Sequence, residues 1–278
     1  MPSTLTTPDG QRLHLHEWPL VQPRGTVLIV HGLGEHAGRY VHVAQALNAA
    51  GWRVAAHDHR GHGRSSGARG GIVSDDTLLH DLALVIDSVR AAHAGPLLLL
   101  GHSMGGLIAA RLVAEGLQSP PAGWHREVDA LVLSSPALAA DTSVLQKLLL
   151  ATLGRLAPDL AVGNGLNPEW VSRDPAVVRA YRADPLVHDR ITPRLARFIL
   201  AGGELVRRLA PRWRVPTLLL WAGSDRCVAP AGSAAFAAAA PPGVVEAQVF
   251  EPLFHEIFNE PEQAQVFARL RDWLDRGD

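Results

Sequence analysis

Unbroken apolar runs alternate along this chain with stretches in which apolar residues recur every three or four positions. Thr26–Val30 and Leu97–Leu100 are continuous β-branched or leucine runs, the pattern of strands buried on both faces. Trp52–Ala56, Val128–Ser134, Val215–Trp221 and Val244–Phe250 repeat the strand signal. Between them Val41, Ala44, Leu47 and Ala50 fall at helical spacing, as do Leu78, Leu79, Leu82, Val85, Ile86 and Val89. Helices are also predicted over 107–113, 232–240 and 262–274. Strand–helix alternation predicts an α/β fold, a mostly parallel sheet with helices on both faces. Pro8-Asp9-Gly10 is a turn signal, and Leu13 and Leu15 alternate with polar neighbours after it, so the chain enters through an antiparallel hairpin. The alternation breaks from 139 to 214, which holds helical stripes and no convincing strand. One stripe is Val144, Leu145, Leu148, Leu149, Leu153 and Leu156; a later one is Leu195, Phe198, Ile199 and Leu205. The expected organisation is a core over 1–138, a helical cap insertion over 139–214, and the rest of the core over 215–278.

The four leucines at 97–100 run into Gly101-His102-Ser103-Met104-Gly105, and a helix follows. A strand that turns into a helix this abruptly leaves no room for Cβ atoms beside the turn, which Gly101 and Gly105 accommodate. Ser103, at the apex, is expected to present its hydroxyl as a nucleophile. A serine hydroxyl needs a base, and the base needs a partner that fixes its tautomer. Sites in open α/β sheets form at the carboxyl ends of strands. Asp225 follows the strand ending at Trp221, and His255 follows the strand ending near Phe250. The order Ser103, Asp225, His255 is that of nucleophile-elbow enzymes. Two donors must meet the oxyanion: the Met104 N–H at the helix start, and the Leu33 N–H in the loop after Val30, where Gly32 allows close approach. His57, Asp58, His59 and His62 resemble a zinc cluster, but no distant Asp or His stands at evident ligand spacing, so no metal and no cofactor are expected. Cys227, two residues after Asp225, reads as packing near the site.

Composition narrows this reading. The chain has 278 residues, 47% of them hydrophobic and 19% charged, enough for a large core. A net charge of −1 removes a general electrostatic case for nucleic acid or anionic membrane as a partner. One cysteine excludes an internal disulfide, and neither a secretory signal nor an apolar span is visible. A soluble cytoplasmic protein is expected.

Four segments resemble the monoacylglycerol lipase and lysophospholipase branch of the α/β hydrolases: His31–Tyr40, Asp58–Ser65, Gly101–Gly106 and Phe254–Glu260. Asp184-Pro185-Leu186-Val187, inside the insertion, resembles it too. The resemblance implies the α/β-hydrolase fold with a cap, Ser103 as nucleophile, Asp225 as acid, His255 as base, and the Leu33 and Met104 amides as oxyanion hole. It also implies that Glu35 and Arg39 organise a polar end for a glycerol-like leaving group, although these two can equally pair with each other. Leu33 departs from the pattern, since related lipases often carry a smaller residue there, and it narrows the space beside the oxyanion hole. The expected activity is hydrolysis of fatty-acid esters, above all monoacylglycerols, through an acyl-enzyme. The alternatives are a short-chain or general carboxylesterase, a lysophospholipase, an aminopeptidase of the same fold, and a binding module without catalysis. The expected partner is a small lipid ester, with transient lipid-surface contact through the cap; the oligomeric state is left open.

Overall fold

A computed structural model describes residues 3–140 and 154–277. Eight strands form one sheet: β1 (Thr4–Thr6), β2 (Arg12–Trp18), β3 (Thr26–Val30), β4 (Arg53–His57), β5 (Leu97–His102), β6 (Ala130–Ser134), β9 (Thr217–Ala222) and β10 (Val245–Phe250). Their order is β1-β2-β4-β3-β5-β6-β9-β10. The first two strands pair antiparallel and the other six are mutually parallel. The register sets Val30 beside Gly101 and His102 beside Ser134, so the carboxyl ends of β3, β5 and β6 share one rim. That rim carries the site.

Helices cover both faces. α1 (Val41–Ala49) and α7 (Gln263–Leu274) pack on one; α2 (Thr77–Ala92), α3 (Met104–Glu115) and α6 (Pro230–Ala239) pack on the other. The leucines of β5 divide strictly between them, Leu97 and Leu99 to the α3 side, Leu98 and Leu100 to the α1 side. This is the period of two of a strand that faces no water. Each is buried, and a fully buried leucine contributes about 1.5–3 kcal/mol.

Between β6 and β9 the chain leaves the sheet. It forms a two-residue antiparallel ladder, β7 (Val162–Gly163) with β8 (Arg190–Ile191), and the helices α4 (Pro175–Ala183) and α5 (Pro193–Leu209). The ladder corrects the strandless expectation for this region; two-residue strands are too short to show alternation. α5 starts on a Thr192 cap whose hydroxyl accepts from Leu195 N, with Pro193 as first residue. It buries Leu195, Phe198 and Val206, and lies close enough to α3 that a Cβ on Gly202 would stand 3.3 Å from the Leu107 side chain. The stripe expected over 144–156 falls mostly outside the described residues; Leu156, its last member, is 80% exposed. Among the described residues no helix is long and apolar enough to cross a membrane.

Candidate active site

Ser103 links β5 to α3 with φ 53° and ψ −120°, a conformation an L-residue adopts only under constraint. Neighbouring elements supply it. Ser103 N donates to Ser134 O at 3.0 Å, and Ser103 O accepts from Leu107 N and Ala137 N. A Cβ on Gly101 would lie 2.6 Å from Gly105 O, and one on Gly105 would strike the carbonyls of Val30 and His31. The two glycines let α3 start directly above β3 and β5.

His255 lies in the loop after β10, and its Nδ1 donates to Asp225 Oδ2 at 2.7 Å. The other oxygen, Oδ1, accepts the N–H groups of Cys227 and Val228. With the proton on Nδ1, Nε2 is free to act as a base. Burial presses the His255 pKa down, but the Asp225 charge and hydrogen bond, with the Glu256 and Glu35 carboxylates, leave it above the ordinary histidine value. Burial pushes Asp225 up, yet His255 and two backbone donors hold it below the usual carboxylate range. His102 packs its ring 4.7 Å from that of His255; burial lowers it to about 3, so it stays neutral beneath the base.

The loop after β3 is held from several directions. His31 Nδ1 donates to Gly32 O at 2.8 Å, and Gly32 N donates to Glu35 Oε1 at 2.6 Å. Because a trans peptide points its C=O and N–H in opposite directions, the bond to Gly32 O sets the direction of the Leu33 N–H. Neither the Leu33 nor the Met104 N–H donates to a protein acceptor among the described residues. Glu35 Oε1 also accepts from the Tyr40 hydroxyl, and Oε2 from Arg39 Nη1. Arg39 pairs with two carboxylates, Glu35 and Glu256, and binds the latter in bidentate fashion. Burial pushes both carboxyls up. The Arg39 guanidinium draws Glu256 down to about 2, whereas Glu35 remains above its ordinary value.

The histidine-rich loop builds this support. Asp58 accepts the N–H of Ala37 and of Arg64, tying the two loops together. His59 N donates to His31 Nε2 and His59 Nε2 to His31 O, both at 2.9 Å. Burial lowers His57 to about 4 and His59 to about 3. Among the described residues, three ligand atoms of the His, Cys, Asp and Glu type gather within 4.8 Å at Asp225, Cys227 and His255, and not in this loop. At the triad, carboxylate and imidazole are already bonded to each other. Burial pushes the Cys227 thiol up, away from its reactive form.

Two cavities meet at Ser103. One, of about 330 Å³, is lined by His255, Glu35, Glu256, Tyr181, Asn164 and Asp184. The other, of about 470 Å³, runs beneath the cap past Ala137, Trp170, Ile191, Ile199 and Leu200. Leu33, Ser103, Asn164, Leu166 and Cys227 line both. The carboxylates Glu35, Glu256, Asp184 and Asp189 line the first, and mostly aliphatic side chains, with Asn164 and Arg226, line the second; both expose more apolar than polar surface. Glu256, His102 and Tyr181 escaped the sequence reading. The signal for Glu256 was its position directly after His255.

The chain matches the Hydrolase_4 family, described as serine aminopeptidase S33, over residues 21–262. It belongs to this family of α/β hydrolases. A monoacylglycerol lipase of Mycolicibacterium smegmatis is 39% identical to this hydrolase over 95% of its chain and 93% of the relative. Phospholipase YtpA of Bacillus subtilis is 31% identical over 93% and 98%. The crystal structure of Paleococcus ferrophilus monoacylglycerol lipase superposes with a TM-score of 0.82 at 35% identity, covering 94% of this chain and 98% of that one. Fold and family together make this hydrolase a serine ester hydrolase.

Proposed function

We propose that this hydrolase cleaves monoacylglycerols to fatty acid and glycerol through an acyl-enzyme on Ser103. The observation that carries the reading is the placement of Ser103 where a cavity holding several carboxylates joins one lined mostly by aliphatic side chains. Ser103 Oγ attacks the ester carbonyl while His255 Nε2 takes its proton, and Asp225 stabilises the imidazolium. The Leu33 and Met104 N–H groups receive the oxyanion. As the tetrahedral intermediate collapses, His255 protonates the departing glycerol oxygen, and the acyl group stays on Ser103. Water, deprotonated by His255, then attacks the acyl-enzyme; the acid leaves and Ser103 regains its proton. The acyl chain occupies the aliphatic cavity, and glycerol lies in the one that holds the carboxylates, with Glu35 facing it. A peptide ammonium would require a carboxylate without a partner there; Glu35 and Glu256 share Arg39, Asp184 pairs with His36 and Asp189 with Arg190. Leu156 and Leu160, exposed on the cap, support brief contact with a lipid surface. The net charge and single cysteine support a cytoplasmic enzyme.

The test is a hydrolysis series with wild type and Ser103→Ala: monoacylglycerols, a lysophospholipid, short p-nitrophenyl esters and a p-nitroanilide. Activity on monoacylglycerols is expected to rise roughly fourfold per added CH₂, from about 0.8 kcal/mol of burial each, until the apolar cavity is full. Ser103→Ala is expected to be inactive throughout. A flat profile from acetyl to dodecanoyl esters would make this a short-ester carboxylesterase instead.

A further inference from the structure

We propose that Arg39 is a positioning residue: held between Glu35 and Glu256, it fixes the oxyanion-hole loop relative to the loop that carries His255. The proposal deepens the serine-hydrolase reading and rests on it. Arg39 Nη1 lies 2.8 Å from Glu35 Oε2 and 2.6 Å from Glu256 Oε1, and Nη2 lies 2.8 Å from Glu256 Oε2. Glu35 in turn holds Gly32 N, one residue before the Leu33 N–H. Glu256 is the residue after His255, and its backbone N donates to Val171 O of the cap. A single guanidinium therefore stands two steps from each half of the machinery, across 217 residues of sequence. The cap touches the same point, since the Tyr181 ring of α4 lies 4.8 Å below the guanidinium carbon.

The chemistry suits a fork and not a point charge. Two buried carboxylates facing one another repel, and in a low-dielectric setting they must separate or take up a proton. A planar guanidinium satisfies three of their four oxygens at once, which an ammonium cannot do with the same geometry. Glu35 Oε1 is the fourth, and it is filled by Gly32 N and the Tyr40 hydroxyl. Three of the five Arg39 N–H donors go to these carboxylates, its face packs on Tyr181, and Arg39 lines neither of the two cavities that meet at Ser103. Its effect reaches the substrate through the two loops.

The experiment compares Arg39→Gln and Arg39→Lys with wild type on a glyceryl, a methyl and a p-nitrophenyl ester of the same acid. Active sites are titrated with a fluorophosphonate, so that rates refer to folded enzyme. A positioning residue lowers kcat by the same factor on all three esters, about 10²-fold for Arg39→Gln by comparison with loss of one oxyanion donor. KM stays near the wild-type value, and Arg39→Lys recovers part of the loss. A loss confined to the glyceryl ester would make Arg39 a substrate contact and overturn the proposal, as would full kcat per titrated site with only a lower Tm. If Arg39→Gln does not fold, Arg39→Lys and Glu256→Gln carry the same comparison. Glu256→Gln adds a pH readout. His255 must be neutral to take the Ser103 proton, so kcat/KM falls as pH drops through its pKa. The Glu256 carboxylate raises that pKa, so its removal moves the acid limb to lower pH, while the positioning role is read from the equal loss of kcat on the three esters at the pH plateau. Should the wild type ignore monoacylglycerols yet cleave the methyl and p-nitrophenyl esters, the substrate assignment fails while these arms still read out Arg39.

Discussion

The floor and the roof of this site are built on different principles. On the floor, direction is over-determined. Ser103 is held in a strained backbone by three hydrogen bonds, Gly32 by two, and Glu256 and Glu35 share one guanidinium. The roof is anchored along its edges, away from the surface it turns to the cavity. Glu260 is fully buried and accepts from Ser172 Oγ, Arg173 N and Arg173 Nε, which pins the cap segment to the His255 loop. His188 N reaches Gly34 O, and Thr192 N reaches Gly70 O. Glu256 N donates to Val171 O, His36 pairs with Asp184 and Arg197 with Asp75, and over the cavity the roof presents Ile191, Ile199 and Leu200. Precision belongs to the floor because bond-making tolerates errors of a fraction of an ångström. The roof must only exclude water and fit a chain, for which shape and apolarity suffice.

Breaking the floor therefore should affect every substrate alike. Asp225→Asn keeps the shape but allows the wrong imidazole tautomer to persist, and kcat is expected to fall about 10³–10⁴-fold on long and short esters equally. Steady-state rates on an octanoyl and an acetyl ester check it. A loss that differed by more than a few-fold between the two would mean that the triad also shapes the acyl cavity.

What could be read in advance follows the same division. Ser103, Asp225 and His255 each follow a strand, and strands announce themselves as apolar runs, so their chain positions were enough to expect them on one rim, where Asp225 bonds His255 and His255 shares a cavity with Ser103. The elbow glycines were legible because a close backbone approach excludes Cβ atoms. The Arg39–Glu256 pair was not, because an ion pair between residues 217 positions apart leaves no periodic trace. His57, Asp58, His59 and His62 suggested metal ligands by residue type, yet His59 braces its loop to that of His31 through backbone atoms. The β7–β8 ladder was hidden by its length. In the cap, helical spacing identified α5 but not how it lies on α3, where Gly202 leaves room for Leu107, or on the chain after β6, where Gly203 leaves room for Leu138 O.

Breaking the roof should separate substrates and leave the chemistry intact. Ile199 lines the apolar cavity beneath the cap and is only partly buried, so a larger side chain can enter the cavity without overfilling the main core. Ile199→Trp is expected to shorten the longest acyl chain accepted by a few carbons, at roughly fourfold in kcat/KM for each CH₂ excluded. Acetyl and butyryl esters should react at wild-type rates. Measuring kcat/KM along the acyl series shows where the rise stops in each protein. Equal losses at all lengths would place Ile199 with the floor.

The smallest effect expected lies on the outer face of the roof. Leu156 and Leu160 are 80% and 54% exposed, so they bury little area in the folded chain. Leu156→Ser with Leu160→Ser should change stability by no more than about 0.5 kcal/mol and leave hydrolysis of dissolved short esters untouched. If the cap meets a lipid surface, removing two leucines from that contact forfeits about 1.5–3 kcal/mol each at full burial, and less where insertion is shallow. Cosedimentation with phosphatidylcholine vesicles, and turnover of a long monoacylglycerol presented in them, should then fall together. Unchanged cosedimentation would confine the cap to its inner role, lining the acyl cavity, and the substrate would have to reach Ser103 from solution.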